Sequence, residues 1–227
     1  HTFTAKSLKT IMQKTTDCPY KFGLTGTLDD AESHHLVLEG LFGTVKKVTT
    51  TKQLIDAKQI SDLKIMGIVL TYSEKECIIR DYNEEIKFIT EYPQRNNLIR
   101  NLSIDLKGNT LILFSLIKHG EFLHGLIKEK ADVNRKTFFV YGGTDSETRE
   151  KIRGIVEKER DSIVVASFGV FSTGINIRNL HNIIFSSPYK SRIRNLQSIG
   201  RGLRIHESKA GAKLYDIADN FNNNNHT

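Results

Sequence analysis

Gln197, Arg201 and Arg204 lie at i, i+4 and i+7 within Gln197-Ser198-Ile199-Gly200-Arg201-Gly202-Leu203-Arg204. On a helix that spacing gathers them on one face. Ile193, Leu196, Ile199 and Leu203 form a separate apolar face at helical spacing. One amide and two permanent cations suit a polyphosphate, because the guanidinium fork is planar, always charged and matched to phosphate oxygens. Gly200 carries no side chain, so a large ligand can approach closely there. The alternative is a solvated basic helix face.

Two other segments carry weaker signals. Phe171-Ser172-Thr173-Gly174-Ile175-Asn176-Ile177 offers hydroxyls and glycine-flanked N–H groups to phosphates. It also reads as an ordinary strand-to-helix loop. Gly23-Leu24-Thr25-Gly26-Thr27 reads as a turn at a strand end. No G-x-x-x-x-G-K-[ST] occurs, so this chain has no Lys and Gly-rich cradle for β- and γ-phosphates. No complete Asp-Glu pair follows a strand to hold Mg²⁺.

The elements that must position these residues alternate. Leu111–Phe114, Thr137–Tyr141, Ile163–Ala166, Ile183–Phe185 and Ala212–Ile217 read as strands. Helix patterns separate them: Phe122, Leu123, Leu126 and Ile127 share one face, and Thr144-x-x-Glu147 fits a capping box ahead of Ile152, Ile155 and Val156. The order predicts a parallel sheet with helices on both faces, an α/β fold. Ligands of such sheets gather at the carboxyl ends of the strands. Before this region, Thr4–Lys14 and 31–41 read as helices, Tyr20–Thr25 as a short strand and Leu63–Tyr72 as another strand. The expected organisation is 1–45 as the end of a first domain, 46–92 as a connection and 93–227 as the second domain.

The 227 residues include 33 Lys and Arg against 26 Asp and Glu, a formal charge of +7, which favours an anionic partner. The two cysteines make neither a disulfide framework nor a metal-ligand spacing. The eight histidines are scattered, so no metal site is expected. No apolar run is long enough to cross a membrane as a helix. A reducing, intracellular setting follows from the cysteine usage.

Thr25-Gly26-Thr27, Leu111–Ser115, Ser172–Asn176 and Gln197–Arg204, in this order, resemble motifs III, IV, V and VI of superfamily two helicases. His1 resembles the last residue of their D-E-x-H motif II. The resemblance covers nearly the whole chain. It implies two RecA-like domains, with this chain supplying the end of the first, a linker and the second. It implies arginine fingers at Arg201 and Arg204, and a Gln197 that contacts nucleotide or the surroundings of the attacking water. Gly174, Asn176, Gly200 and His1 would line the nucleotide, with Asn176 standing where many relatives have Asp. Ser115, Thr173 and Gly174 would touch the DNA backbone. Thr25, Gly26 and Thr27 would couple hydrolysis to strand movement. ATP and Mg²⁺ are the implied cofactors, bound mainly by residues outside this chain, which alone should be inactive. The implied activity is an ATP-dependent DNA helicase that unwinds or branch-migrates forks, Holliday junctions, D-loops and R-loops in phage recombination, repair and replication. Its partner would be branched or forked DNA, with RNA–DNA hybrids as a further substrate. A monomer in the cytoplasm of the host bacterial cell is expected. The alternative is the motor part of a restriction-system DNA translocase. A non-catalytic binding module and a Rossmann-like transferase are the remaining readings.

Overall fold

The computed structural model describes residues 6–25, 32–73, 81–173, 177–188, 192–207 and 209–221, and within these the side chains at 6–9, 32–34, 172–173, 192–194 and 196–197 lie outside the description. The chain divides into two compact units, His1–Asp56 and Ala57–Thr227.

The first unit holds α1 (Lys6–Gln13), α2 (Glu32–Phe42) and α3 (Thr51–Asp56). The two expected helices are therefore present. The expected strand over Tyr20–Thr25 is not: that segment is irregular. Its alternating apolar residues Tyr20, Phe22 and Leu24 are 75%, 83% and 96% exposed. A strand exists only through pairing, and this unit has no other strand among its described residues.

The second unit runs β1 (Asp62–Thr71), α4 (Tyr82–Glu91), α5 (Pro93–Asp105), β2 (Thr110–Phe114), α6 (Ile117–Lys130), β3 (Thr137–Val140), α7 (Ser146–Lys158), β4 (Ile163–Ser167), α8 (Phe168–Thr173), β5 (Asn182–Phe185), α9 (Arg192–Gly202) and β6 (Gly211–Asn220). The six strands form one sheet in the order β1-β6-β5-β2-β4-β3. Every neighbouring pair is parallel. β2 is buried along its whole length, as expected for a strand covered on both faces. Alternate residues feed two cores. Leu111, Leu113, Val164, Ala166 and Ile183 meet Val156 of α7 and Phe168 and Phe171 of α8 on one face. Ile112, Phe114, Val165 and Ile184 meet Ile99 of α5 and Leu123 and Ile127 of α6 on the other. Burying each Val, Leu, Ile or Phe side chain among them contributes about 1.5–3 kcal/mol.

Three local expectations are corrected. The stretch 46–92, expected as a connection, supplies an edge strand: β1 pairs with β6 from Asp62↔Gly211 to Thr71↔Asn220. The start of α7 is capped by Asp145, whose carboxylate accepts from the Thr148 N–H at 2.8 Å. Thr144, the expected cap, instead accepts from the Tyr141 N–H at 3.1 Å and closes the preceding turn. On α6 the buried stripe is His119, Gly120, Leu123 and Ile127, while Phe122 is 51% exposed. His119 and Gly120 do not look like core residues, which hid that stripe's true phase.

The amino ends of the strands are tied by one buried side chain. The Asn109 amide donates to Val156 O, Glu159 O and Asn179 O at 2.8–3.0 Å. Its oxygen accepts from the Ser162 N–H and hydroxyl at 2.9 and 2.8 Å. Gly108 just before it has φ +89°, and a Cβ there would sit 2.6 Å from the His181 ring. Only glycine satisfies both conditions.

Candidate functional site

Because β5 and β6 are parallel, α9 must carry the chain from the carboxyl edge of the sheet back to its amino edge. Ile199 packs on the core, and Leu203 is buried. The helix stops at Gly202. Gln197 and Arg201 are thus one turn apart on the helix backbone, with the Gln197 side chain outside the described residues. Arg204 lies beyond the helix and is exposed, so the surrounding loop, and not helical phase, sets its direction. Nothing lies within 4 Å of a Cβ built at Gly200, whereas one at Gly202 would collide with the Ile183 side chain. The glycine required by packing is therefore Gly202.

Arg201 is half-buried, with its guanidinium 5.9 Å from the centroid of the Phe171 ring. Burial, and then the neighbouring Arg204, push its pKa below the ordinary arginine value. Arg remains charged in any case. The direction marks positive charge concentrated in a partly desolvated place, where an anion gains most. The backbone here is pinned by two residues that the motif reading missed. The Lys209 ammonium donates to Gly202 O at 2.6 Å and to Leu180 O at 3.0 Å. The Ser61 N–H donates to Leu203 O at 2.7 Å, and the Ser61 hydroxyl to Arg204 O at 3.2 Å. No local pattern announces a contact between positions 61 and 204.

The other expected site residues are dispersed. Ser115 follows β2 at the carboxyl edge, exposed, with its hydroxyl donating to Pro188 O at 3.4 Å. Ser115 and the arginines therefore occupy opposite edges of the sheet and are not brought together. Thr173 ends α8, its side chain outside the description. Thr25 is exposed in the first unit. His1, Gly26, Thr27, Gly174 and Asn176 lie outside the described residues.

Residues 94–206 match the family described as helicase conserved C-terminal domain. The chain belongs to the superfamily two helicases. It is 38% identical over 225 residues to the ATP-dependent DNA helicase uvsW of Enterobacteria phage T4, covering 96% of this chain and 44% of that protein. The crystal structure of T4 UvsW matches with a TM-score of 0.60 at 37% identity, over 95% of this chain and 42% of that one. This chain thus spans less than half the length of these relatives. An ATP-dependent Type ISP restriction-modification enzyme, LlaBIII, bound to DNA, matches with a TM-score of 0.54 over 88% of this chain and 14% of that one. At 16% identity that likeness shows the fold alone.

The carboxyl edge of this helicase domain is built from buried polar groups. His119, 3% exposed, holds Nε2 2.9 Å from Asn96 Oδ1 and Nδ1 3.4 Å from Ser187 Oγ. Burial, and then the charge of Arg95, push its pKa down to about 4. The folded domain therefore keeps His119 neutral, and its value lies below that of the unfolded chain. Stability from this group is complete above about pH 6.5 and is lost as pH falls toward 4. The free energy of unfolding should drop by roughly 3 kcal/mol across that window from this residue. Urea midpoints measured from pH 7 to 4 check it: His119→Gln should flatten the slope, and an unchanged slope would refute the assignment. Among the described residues of the helicase domain, no group of three His, Cys, Asp or Glu side chains could hold a metal ion.

Proposed function

We propose that this chain supplies the second motor domain of an ATP-dependent DNA helicase, with residues 1–45 belonging to a first RecA-like domain and the connection between them ending where β1 begins. The observation that carries this reading is the placement of Arg201 and Arg204 around one pinned turn at the amino edge of the sheet. In this reading ATP is held chiefly by a P-loop domain, and the two arginines reach its γ-phosphate when the domains close. An arginine so placed stabilises charge that develops in phosphoryl transfer. Gln197 stands one turn earlier and faces the nucleotide, together with Gly174, Asn176, Gly200 and His1. Ser115, Thr173 and Gly174 contact the DNA backbone, and Thr25, Gly26 and Thr27 couple hydrolysis to strand movement. In the same reading Mg²⁺ is held by the P-loop domain. Branched DNA, RNA–DNA hybrids, a phage recombination or repair context, a monomeric state and a host-cytoplasmic location complete the proposal.

The 227-residue chain alone should bind DNA weakly and hydrolyse no ATP. Binding should weaken steadily with added salt, as phosphate contacts release counterions. The check is fluorescence anisotropy on forked and unrelated duplexes at several salt concentrations, with phosphate release measured alongside. Salt-insensitive or sequence-selective binding contradicts a motor domain. The restriction-translocase alternative predicts, in the longer protein, translocation on duplex DNA without strand separation.

A further inference from the structure

Three successive carbonyls, of Gly202, Leu203 and Arg204, run along the backbone that joins the two arginines. A helix end leaves such carbonyls without intrahelical partners. Here each receives a donor from another part of the unit. Lys209 Nζ serves Gly202 O at 2.6 Å, the Ser61 N–H serves Leu203 O at 2.7 Å, and the Ser61 hydroxyl serves Arg204 O at 3.2 Å. Lys209 also reaches Leu180 O at 3.0 Å, just before β5. Its charge complements the negative end of α9. Ser61 is buried and immediately precedes β1. It stands just inside the second unit, whose first residue is Ala57.

We propose that Ser61 and Lys209 are positioning residues that latch the arginine-bearing turn to the point where the inter-unit connection enters the second unit. The inference rests on the reading of Arg201 and Arg204 as phosphate-facing groups. A long side chain can place its fork reproducibly only if its backbone is fixed. Lys209 fixes the turn against α9 and the start of β5. Ser61 fixes it against β1, so a displacement of the connection is felt at Arg204 through two hydrogen bonds and not through the whole sheet.

The test has two arms. In a protein carrying this chain together with its P-loop domain, Ser61→Ala and Lys209→Met should each lower kcat for ATP by roughly 10- to 100-fold, as expected for a small misplacement of a reacting group. KM for ATP and affinity for DNA should stay within about twofold. Ser61→Thr keeps the hydroxyl and should retain most of the parent rate. If Lys209→Met does not fold, Ser61→Ala decides alone. Parent kcat in the folded variants, with Arg201→Ala inactive, overturns the latch. Arg201→Ala at the parent rate sinks the reading of the arginines and leaves the latch to the second arm. There, hydrogen exchange at the Ser61 amide is followed in the 227-residue chain. Slow exchange that is lost in Lys209→Met supports the latch. Exchange at the rate of an exposed amide in the parent chain overturns it.

Discussion

Arg201→Ala, in a protein that carries both motor domains, should lower the turnover number for ATP by ~10³-fold or more. KM for ATP should change less than about threefold. A finger acts on charge that is greatest in the transition state, so its loss appears in kcat before KM. Arg204→Ala should behave alike. Lys at either position should rescue poorly, because an ammonium lacks the planar fork and, at Arg201, its match to the face of Phe171. DNA binding without nucleotide should survive both changes. Thr173→Ala should show the opposite balance, losing DNA-stimulated activity first. Steady-state kinetics with and without forked DNA separate these outcomes. Parent hydrolysis combined with lost DNA affinity in both arginine variants would make this a DNA-binding surface and end the finger assignment.

The second large effect is on stability. Arg95 of α5 is fully buried, with Nε and Nη2 at 2.8 and 3.0 Å from the two carboxylate oxygens of Asp219. Its Nη1 donates to Ser186 O at 2.7 Å. The Tyr72 hydroxyl also donates to Asp219, and burial followed by that carboxylate pushes the Tyr72 phenol pKa upward. Around this knot Tyr72 packs on Phe88, Tyr92 and Phe221. Arg95→Met should destabilise the domain by about 3–5 kcal/mol, because it strands a buried carboxylate. Arg95→Met with Asp219→Leu should recover much of that loss, since neither charge remains to be desolvated. Urea denaturation of the two single variants and the double variant gives the coupling directly. A cost below about 1 kcal/mol for Arg95→Met would mean that water reaches the pair.

How much was legible followed from range along the chain. β2 and β4 read correctly because strands covered on both faces are apolar runs, whatever partners they find. The Gln197–Arg204 segment stood out because its spacing is local. That same locality misled at Arg204, which helical phase put on α9 and the structure puts after it. It misled by one residue at Thr144 and Asp145, where two good capping residues are adjacent. Ser61, Lys209 and Arg95 were invisible for a different reason. Their partners lie far off in sequence, and a serine, a lysine and an arginine in polar stretches look like surface. β1 and β6 both read as strands, but nothing local shows that they pair across the long stretch between Thr71 and Gly211, so 46–92 reads as a connection. Tyr20–Thr25 has the alternation of a strand without a neighbour to make it one.

The pairing of β1 with β6 joins the first strand of this unit to the last. On the ribosome β1 emerges early and must wait until everything from Thr71 to Gly211 has been made. At ~5–20 residues per second that wait is on the order of 10 s. Throughout it, the apolar side chains of β1 have no sheet to join, and β5, once made, keeps one bare edge until β6 follows. The nascent chain therefore passes through a long interval in which β1 is open to wrong partners, joined near its end by the free edge of β5. Its final ten-residue strand closes both edges in one step.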